Sequence, residues 1–426
     1  MRSQFYFSCM KQVITWTLCL VNLLGFGVPF KNEVFKNSIK TVFFEGYNSK
    51  YELPIITLKS EEQLTLKFDE LSDKSKNFEY KFIKCNRDWE QDSELFIHDY
   101  INGLESDFIT DFYFSENTAI NYVHYTVSFP NSNMQFSRSG NYVIIVSDSE
   151  SSQIVLIQKF YVTEHKINIT PKPTTSVNFD FRYTHHVINF DVNHSMIPSD
   201  NPINEFHAVI IQNGRYDNMK NELKPLYVKN NEIIFSNENE NRFEAGNEYR
   251  ILDFRDVKMQ SVGVEDIFYD DSIYHVIPST DYKRAYKKYS NTFDHNGRFF
   301  IQKLPKIGDP NLTSDYAYVH FRFKRKIPLD SSTLYLAGGF TNGEISREHQ
   351  MFYNDSLEHY EAHLLLKQGV FNYAYSARKI GNPALNWEDT DGSHYETENS
   401  YTILLYYKGF NDNTESLVGV KSFKFQ

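Results

Sequence analysis

The carboxylates of the stretch from Asp391 to Lys408, DGSHYETENSYTILLYYK, are the first residues whose spacing could do chemistry. Asp391, Glu396 and Glu398 could share acid and base roles if their surroundings split their pKa values. The residues before Asn399 suit turns, however, and the β-branched and aromatic run after it suits a pleated, half-buried surface. The segment reads as a loop feeding a strand, and acids in such loops are usually solvated.

Other chemistry-bearing residues meet the same objection. His185, His186 and His194 could offer imidazole ligands, but neighbours on a strand point to opposite faces, which splits a metal site. Glu265-Asp266 and Asp270-Asp271 form an acidic patch without the D-x-D-x-D-G spacing of a calcium loop. Cys85 follows the apolar run of FIKCNRDW and reads as a small buried hydrophobe. No G-x-S-x-G elbow, H-E-x-x-H helix, phosphate loop, dinucleotide fingerprint or paired C-x-x-C occurs. No catalytic, cofactor or metal site is expected.

The formal charge of -11 gives no general attraction to nucleic acid, so the basic, aromatic run YKRAYKKY at 282–289 reads as an exposed loop or edge. The chain of 426 residues is long enough for two or three domains, and its 36 Phe and 30 Tyr favour sheets. Arg2 and Lys11 precede the apolar run Val13–Phe26, with Gly25 and Gly27 before Val28. This is the layout of a secretory signal peptide over 1–27, whether cleaved or retained. Thr17 and Leu18 are not the small residues a lipid-attachment box wants, so lipoprotein anchoring at Cys19 is not expected. Cys85 is then the lone thiol of an exported chain that must rely on its cores.

Period-two alternation recurs, as in Val123, Tyr125, Val127 and Phe129, and again in Ala317, Val319, Phe321 and Phe323. Pro171-Lys172-Pro173 and the stretch 303–314, with Pro305, Gly308 and Pro310, read as linkers. Lys367-Gln368-Gly369 reads as the turn of a hairpin. The expected organisation is all-β, with consecutive β-sandwich domains of immunoglobulin-like or early-set type: 28–164, 165–310 and 311–426. The strands Tyr401–Tyr407 and Leu417–Phe423 would close the last of them.

In the third block, Ala337-Gly338-Gly339-Phe340-Thr341-Asn342, Tyr360–Leu364 and Gln368–Tyr373 resemble glycogen-binding early-set modules. Those modules carry a sugar-stacking Trp where this chain has Gly343, which removes most of the apolar area that would hold a glycan. A wider resemblance spans the mature chain. Cys85-Asn86-Arg87-Asp88-Trp89, Ile211–Asn218, Ala245–Arg250, Asn296–Ile301, Asp315–Phe321 and Gly392–Asn399 are similar to motifs of the type IX secretion system plug protein family, with Tyr216 where Trp is the family's residue.

That resemblance implies a non-enzymatic, monomeric periplasmic protein, bound to the outer membrane only through a large β-barrel translocon whose mouth it closes when no substrate passes. A cell-envelope carbohydrate-binding protein is the alternative, and soluble-glycan binding separates the two. Arg215, Asp217, Asn218, His394, Tyr395 and Asn399 are the candidate partner contacts; the competing assignment is internal turn and cap contacts that hold the domains together.

Overall fold

A computed structural model describes residues 27–46, 53–382 and 384–426. Except for Gly27, the expected signal peptide, Cys19 included, lies outside the described residues. Among those residues, no helix is long and apolar enough to cross a membrane. The described residues are all-β: three two-sheet sandwiches, with only short helical turns between strands.

The first sandwich faces the strands Ile39–Gly46, Leu64–Glu70, Val123–Phe129 and Asp111–Phe114 against a sheet built on Ile154–Thr163, Gly140–Asp148 and Phe78–Cys85. Val123, Tyr125, Val127 and Phe129 all enter its core, as their alternation requires. Aromatic rings fill that core: Phe68 stacks on Tyr125 at 5.2 Å, and Phe78 meets Tyr125 edge-on at 4.8 Å.

The middle sandwich is not built from 165–310. One sheet contains Asn168–Thr175, His185–Asn193, Glu232–Phe235, Tyr227–Lys229 and Arg242–Glu244. The other orders Lys220–Leu223, Phe206–Gln212, Asn399–Tyr407 and Ser416–Phe425. Phe206–Gln212 pairs antiparallel with Asn399–Tyr407 over seven residues, Phe206 opposite Tyr407 and Gln212 opposite Tyr401. The last two strands therefore close the middle sandwich rather than the third.

The third sandwich is inserted between them. Its sheets are Arg250–Asp253, Gly369–Lys379, Phe299–Ile301 and Ser332–Gly338, facing Val264–Tyr269, Tyr274–Pro278, Tyr316–Lys324, His359–Lys367 and Phe352–Asn354. A boundary at 310/311 would cut through this core, because Leu252, Val276 and Phe321 share it. Alternation along a strand reports which face is buried but not which strand it pairs with, so a linear division missed the insertion.

Two local expectations also change. Pro171 and Pro173 lie in an edge strand, opposite Phe190 and Ile188, instead of in a linker. Proline is tolerated there because an edge strand needs no donor on its open side. His359–Lys367 and Gly369–Lys379 are not a hairpin; they belong to opposite sheets, and the chain crosses between them at Gln368. Gln368 is buried, its amide nitrogen donating to the Arg255 carbonyl at 3.0 Å and its oxygen accepting from the Asp315 N–H at 2.7 Å.

Candidate functional site

The chain passes from the middle to the third sandwich through 245–249 and returns before Asn399, so two crossovers lie side by side. The turn after Phe206–Gln212 packs against them. Asn213 and Gly214 adopt positive φ, 50° and 67°, which reverses the chain tightly. Arg215 is buried and clamps Asp217 with both arms, Nε to Oδ1 at 3.0 Å and Nη2 to Oδ2 at 2.6 Å. Asp217 in turn accepts the Leu385 N–H at 3.0 Å, while the guanidinium lies 5.6 Å over the Trp387 ring. Asn218 donates to the Gln212 side chain at 2.7 Å.

On the returning segment, the His394 N–H donates to the Gly246 carbonyl at 2.8 Å, and the Tyr395 N–H to the Tyr183 carbonyl at 3.1 Å. Asn399 is buried, donates to the Ala245 carbonyl at 2.8 Å and accepts from the Asn213 side chain at 2.7 Å. The structure thus brings the six candidate contacts to one junction, where the bonds just described tie them to other parts of the same chain.

Asp391 and Glu398 are tied to different partners. Asp391 is fully buried and accepts from Arg250 Nη2 at 2.6 Å, Arg284 Nε at 2.9 Å and the Tyr375 N–H at 3.2 Å. Glu398 pairs with Lys424 at 2.6 Å. A carboxylate held by two guanidinium groups is an anchor, not a free base. Glu244, half-buried beside this junction, has its carboxyl pushed up to about 7 by burial, against the pull of Arg215.

The first sandwich joins the others in two ways. Trp89, from the CNRDW motif, meets Tyr161 and Tyr216 edge-on at 5.2 and 5.8 Å. Lys159 lies 4.8 Å over Trp89 and 4.2 Å over Tyr216 and reaches Glu344 of the third sandwich at 2.8 Å. Cys85 is buried in the same cluster, and burial pushes its thiol up to about 12, which makes it inert at neutral pH.

The second joint was not foreseen from the sequence. Asp69 is fully buried and accepts from Lys367 at 2.6 Å and Tyr316 at 2.7 Å through Oδ2, and contacts His124 Nδ1 at 2.6 Å through Oδ1. Burial raises the Asp69 carboxyl, but Lys367 and His124 outweigh it and leave it below its ordinary value. Lys367 also donates to the Asn311 carbonyl at 2.6 Å and lies 4.0 Å over the Tyr122 ring.

Where the three sandwiches meet lies a cleft of about 570 Å³, lined by Phe43, Gln158, Tyr216, Phe299, Gly343 and Leu385 among others. Gly343, where the resemblance to glycan-binding modules would put a sugar-stacking Trp, has φ +71°, and a Cβ there would sit 2.3 Å from the Gly214 carbonyl oxygen. The turn of the middle sandwich fills that space. Trp89 and Trp387 are both buried, so neither offers a face to a sugar.

The candidate ligands His185, His186 and His194 do not converge. His186 contacts the Tyr401 hydroxyl and the Tyr395 carbonyl, His185 contacts the Thr184 hydroxyl, and His194 contacts the Ile197 carbonyl. Among the described residues, no group of three or more His, Cys, Asp or Glu side chains is arranged to hold a metal ion. In the acidic patch, Glu265 pairs with Arg322 at 2.6 Å, and Asp270 accepts from Ser272 and the Ile273 N–H within its own turn.

A family model described as the type 9 secretion system plug protein first domain matches residues 39–164, which is the first sandwich. A solved hypothetical protein from Parabacteroides merdae is 32% identical over 93% of this chain and 100% of its own, with a TM-score of 0.90. The chain belongs to the type 9 secretion system plug protein family. The C-terminal domain of the antigen I/II-family protein AspA from Streptococcus pyogenes, at 9% identity over 91% of this chain and 99% of its own, has a TM-score of 0.15, too low to indicate a shared fold. No curated protein matches. Of the motifs that carried the resemblance, only Cys85–Trp89 falls inside the matched first domain; the others build the second and third sandwiches and their joints.

Proposed function

We propose that this chain is a periplasmic plug that seats in the mouth of a large outer-membrane β-barrel translocon and closes it while no substrate passes. The observation that carries this reading is the family match on a body whose three sandwiches are joined by buried contacts at every boundary. A pore wide enough for folded cargo leaks unless a stiff body fills it, and packed sheets resist the bending that would reopen a gap. The family is not an enzyme family, and two of the acids that invited a catalytic reading, Asp391 and Glu398, are held in ion pairs. Release requires a cargo or accessory protein that binds the open state better than the plugged one.

Contact with the barrel falls to the exposed loops and sheet faces, since Arg215 and Asn399 are buried. Substitution at these two positions should lower thermal stability instead of selectively weakening co-isolation. The reading is tested by pulling a tagged chain from native envelope and identifying partners by mass, alongside the permeability of a deletion strain to large solutes. A large barrel should co-purify, and the deletion should leak. Saturable glycan binding with no barrel recovered would return the chain to the envelope carbohydrate-binding class.

A further inference from the structure

We propose that the cleft at the meeting of the three sandwiches binds an extended, uncharged peptide, which adds as a strand to the open edge of Phe299–Ile301. Hydrogen bonding along that strand leaves one side unpaired. The Arg298 carbonyl accepts from the Asn372 N–H at 3.0 Å, and the Gln302 N–H donates to the Gln368 carbonyl at 3.2 Å, with Phe300 opposite Val370 in the same ladder. Residues 298, 300 and 302 thus face Gly369–Lys379. By alternation, the N–H and C=O groups of Phe299 and Ile301 point the other way, where no described strand pairs with them.

The opposite wall repeats the arrangement. Ile39–Gly46 is the outer strand of its own sheet, and it lends Phe43, Phe44 and Glu45 to the cleft. Phe43 meets Phe299 edge-on at 5.9 Å, so two outer strands border one space without pairing with each other. An open strand edge inside a cleft is a template for an added strand, because the same backbone groups that would bind water bind a peptide in register.

A second observation points to the same chemistry. Gln158 is 2% exposed, lines the cleft, and its Nε2 has no hydrogen-bond partner among the described residues. A buried amide donor without an acceptor pays its desolvation uncompensated, so the site favours a ligand that brings a carbonyl. Charge decides the sequence class. Lys159 and Arg215 of the wall are tied to Glu344 and Asp217, which leaves neither free for an acidic peptide. Phe43 and Phe300, which line the cleft, offer the peptide apolar contact. The volume lies in the ordinary range for a bound ligand, and a strand rise of about 3.3 Å per residue gives the three-residue edge room for about three to four residues.

This proposal stands apart from the plug reading and is tested without a barrel. A fluorescein-labelled heptapeptide alternating threonine and valine is titrated against the purified chain by anisotropy, with maltoheptaose as competitor. Saturable binding is expected, unaffected by the glucan. Ile301→Pro removes an outward N–H but no bond to Gly369–Lys379, and proline is tolerated on such an edge; it should weaken binding about tenfold or more. Gln158→Leu, which removes the orphan donor, should weaken it severalfold and serves as the decisive variant if Ile301→Pro does not fold. No saturation up to about 1 mM peptide, a contact worth less than about 4 kcal/mol, overturns the proposal. So does binding that both variants leave unchanged, displacement by maltoheptaose, or self-association of the free chain that Ile301→Pro abolishes, which assigns the edge to a second copy.

Discussion

The first sandwich meets the second through an apolar core and the third through a buried charge network. At the first joint, Val143, Ile145, Ile157 and Tyr161 pack with Val209, Ile211, Leu404 and Tyr406. The strands concerned are buried on both faces: Tyr142, Ile144 and Val146 point into the first core while Val143 and Ile145 point out to the joint. At the second, Asp69 and His124 occupy the outer face of strands whose inner face is apolar, and Lys367 reaches them from the third sandwich. An apolar joint tolerates small repacking, whereas a buried ion pair depends on both partners, because either one left alone is a charge out of water.

The sharpest way to break that contrast is Asp69→Ala. It strands Lys367 and removes the partner of Tyr316 and His124, with an expected loss of about 3–5 kcal/mol in denaturant unfolding. The double variant Asp69→Leu with Lys367→Met should lose far less; equal losses would mean the pair is not coupled. The sign of the pH effect follows from the lowered Asp69 carboxyl: its contribution is present above the ordinary carboxylate value and is lost as pH falls through the folded one. Unfolding curves of the native chain should show that acid loss, and those of the double variant should not.

Leu404→Ala, in the apolar joint, should cost about 2–4 kcal/mol with no change in pH dependence. Gly343→Ala combines a positive φ with the close approach to the Gly214 carbonyl, and about 1–3 kcal/mol is expected from calorimetry. The smallest effect is at Glu244. Its raised carboxyl gives stability that is complete below the unfolded value of about 4.5 and fades as pH rises through about 7. Glu244→Gln should therefore flatten the stability profile across that window and raise stability at pH 8 by about 1–2 kcal/mol.

The contrast between the joints also explains what could be read beforehand. Continuous runs such as Tyr142–Val146 and Leu404–Tyr406 carry apolar residues on both faces, and that signal marks a strand with two buried sides. Asp69, His124 and Lys367 gave no such warning, since a polar residue on an alternating strand reads as solvent-facing until a partner covers it. Arg215, Asn399 and their neighbours were legible as a group because turn residues and family motifs mark them. Whether they grip a partner or hold the chain together depended on what lay across from them.

The sequence by itself determined the all-β class, the family and most strand positions, because alternation and aromatic content are local properties of the chain. Only the tertiary structure decided that the last two strands close the middle sandwich, that the third sandwich is inserted within it, and that a buried Asp69–Lys367 pair ties the first to the third. Pairing partners and burial depend on contacts between residues hundreds of positions apart, and no local pattern encodes which distant surface will cover a given face.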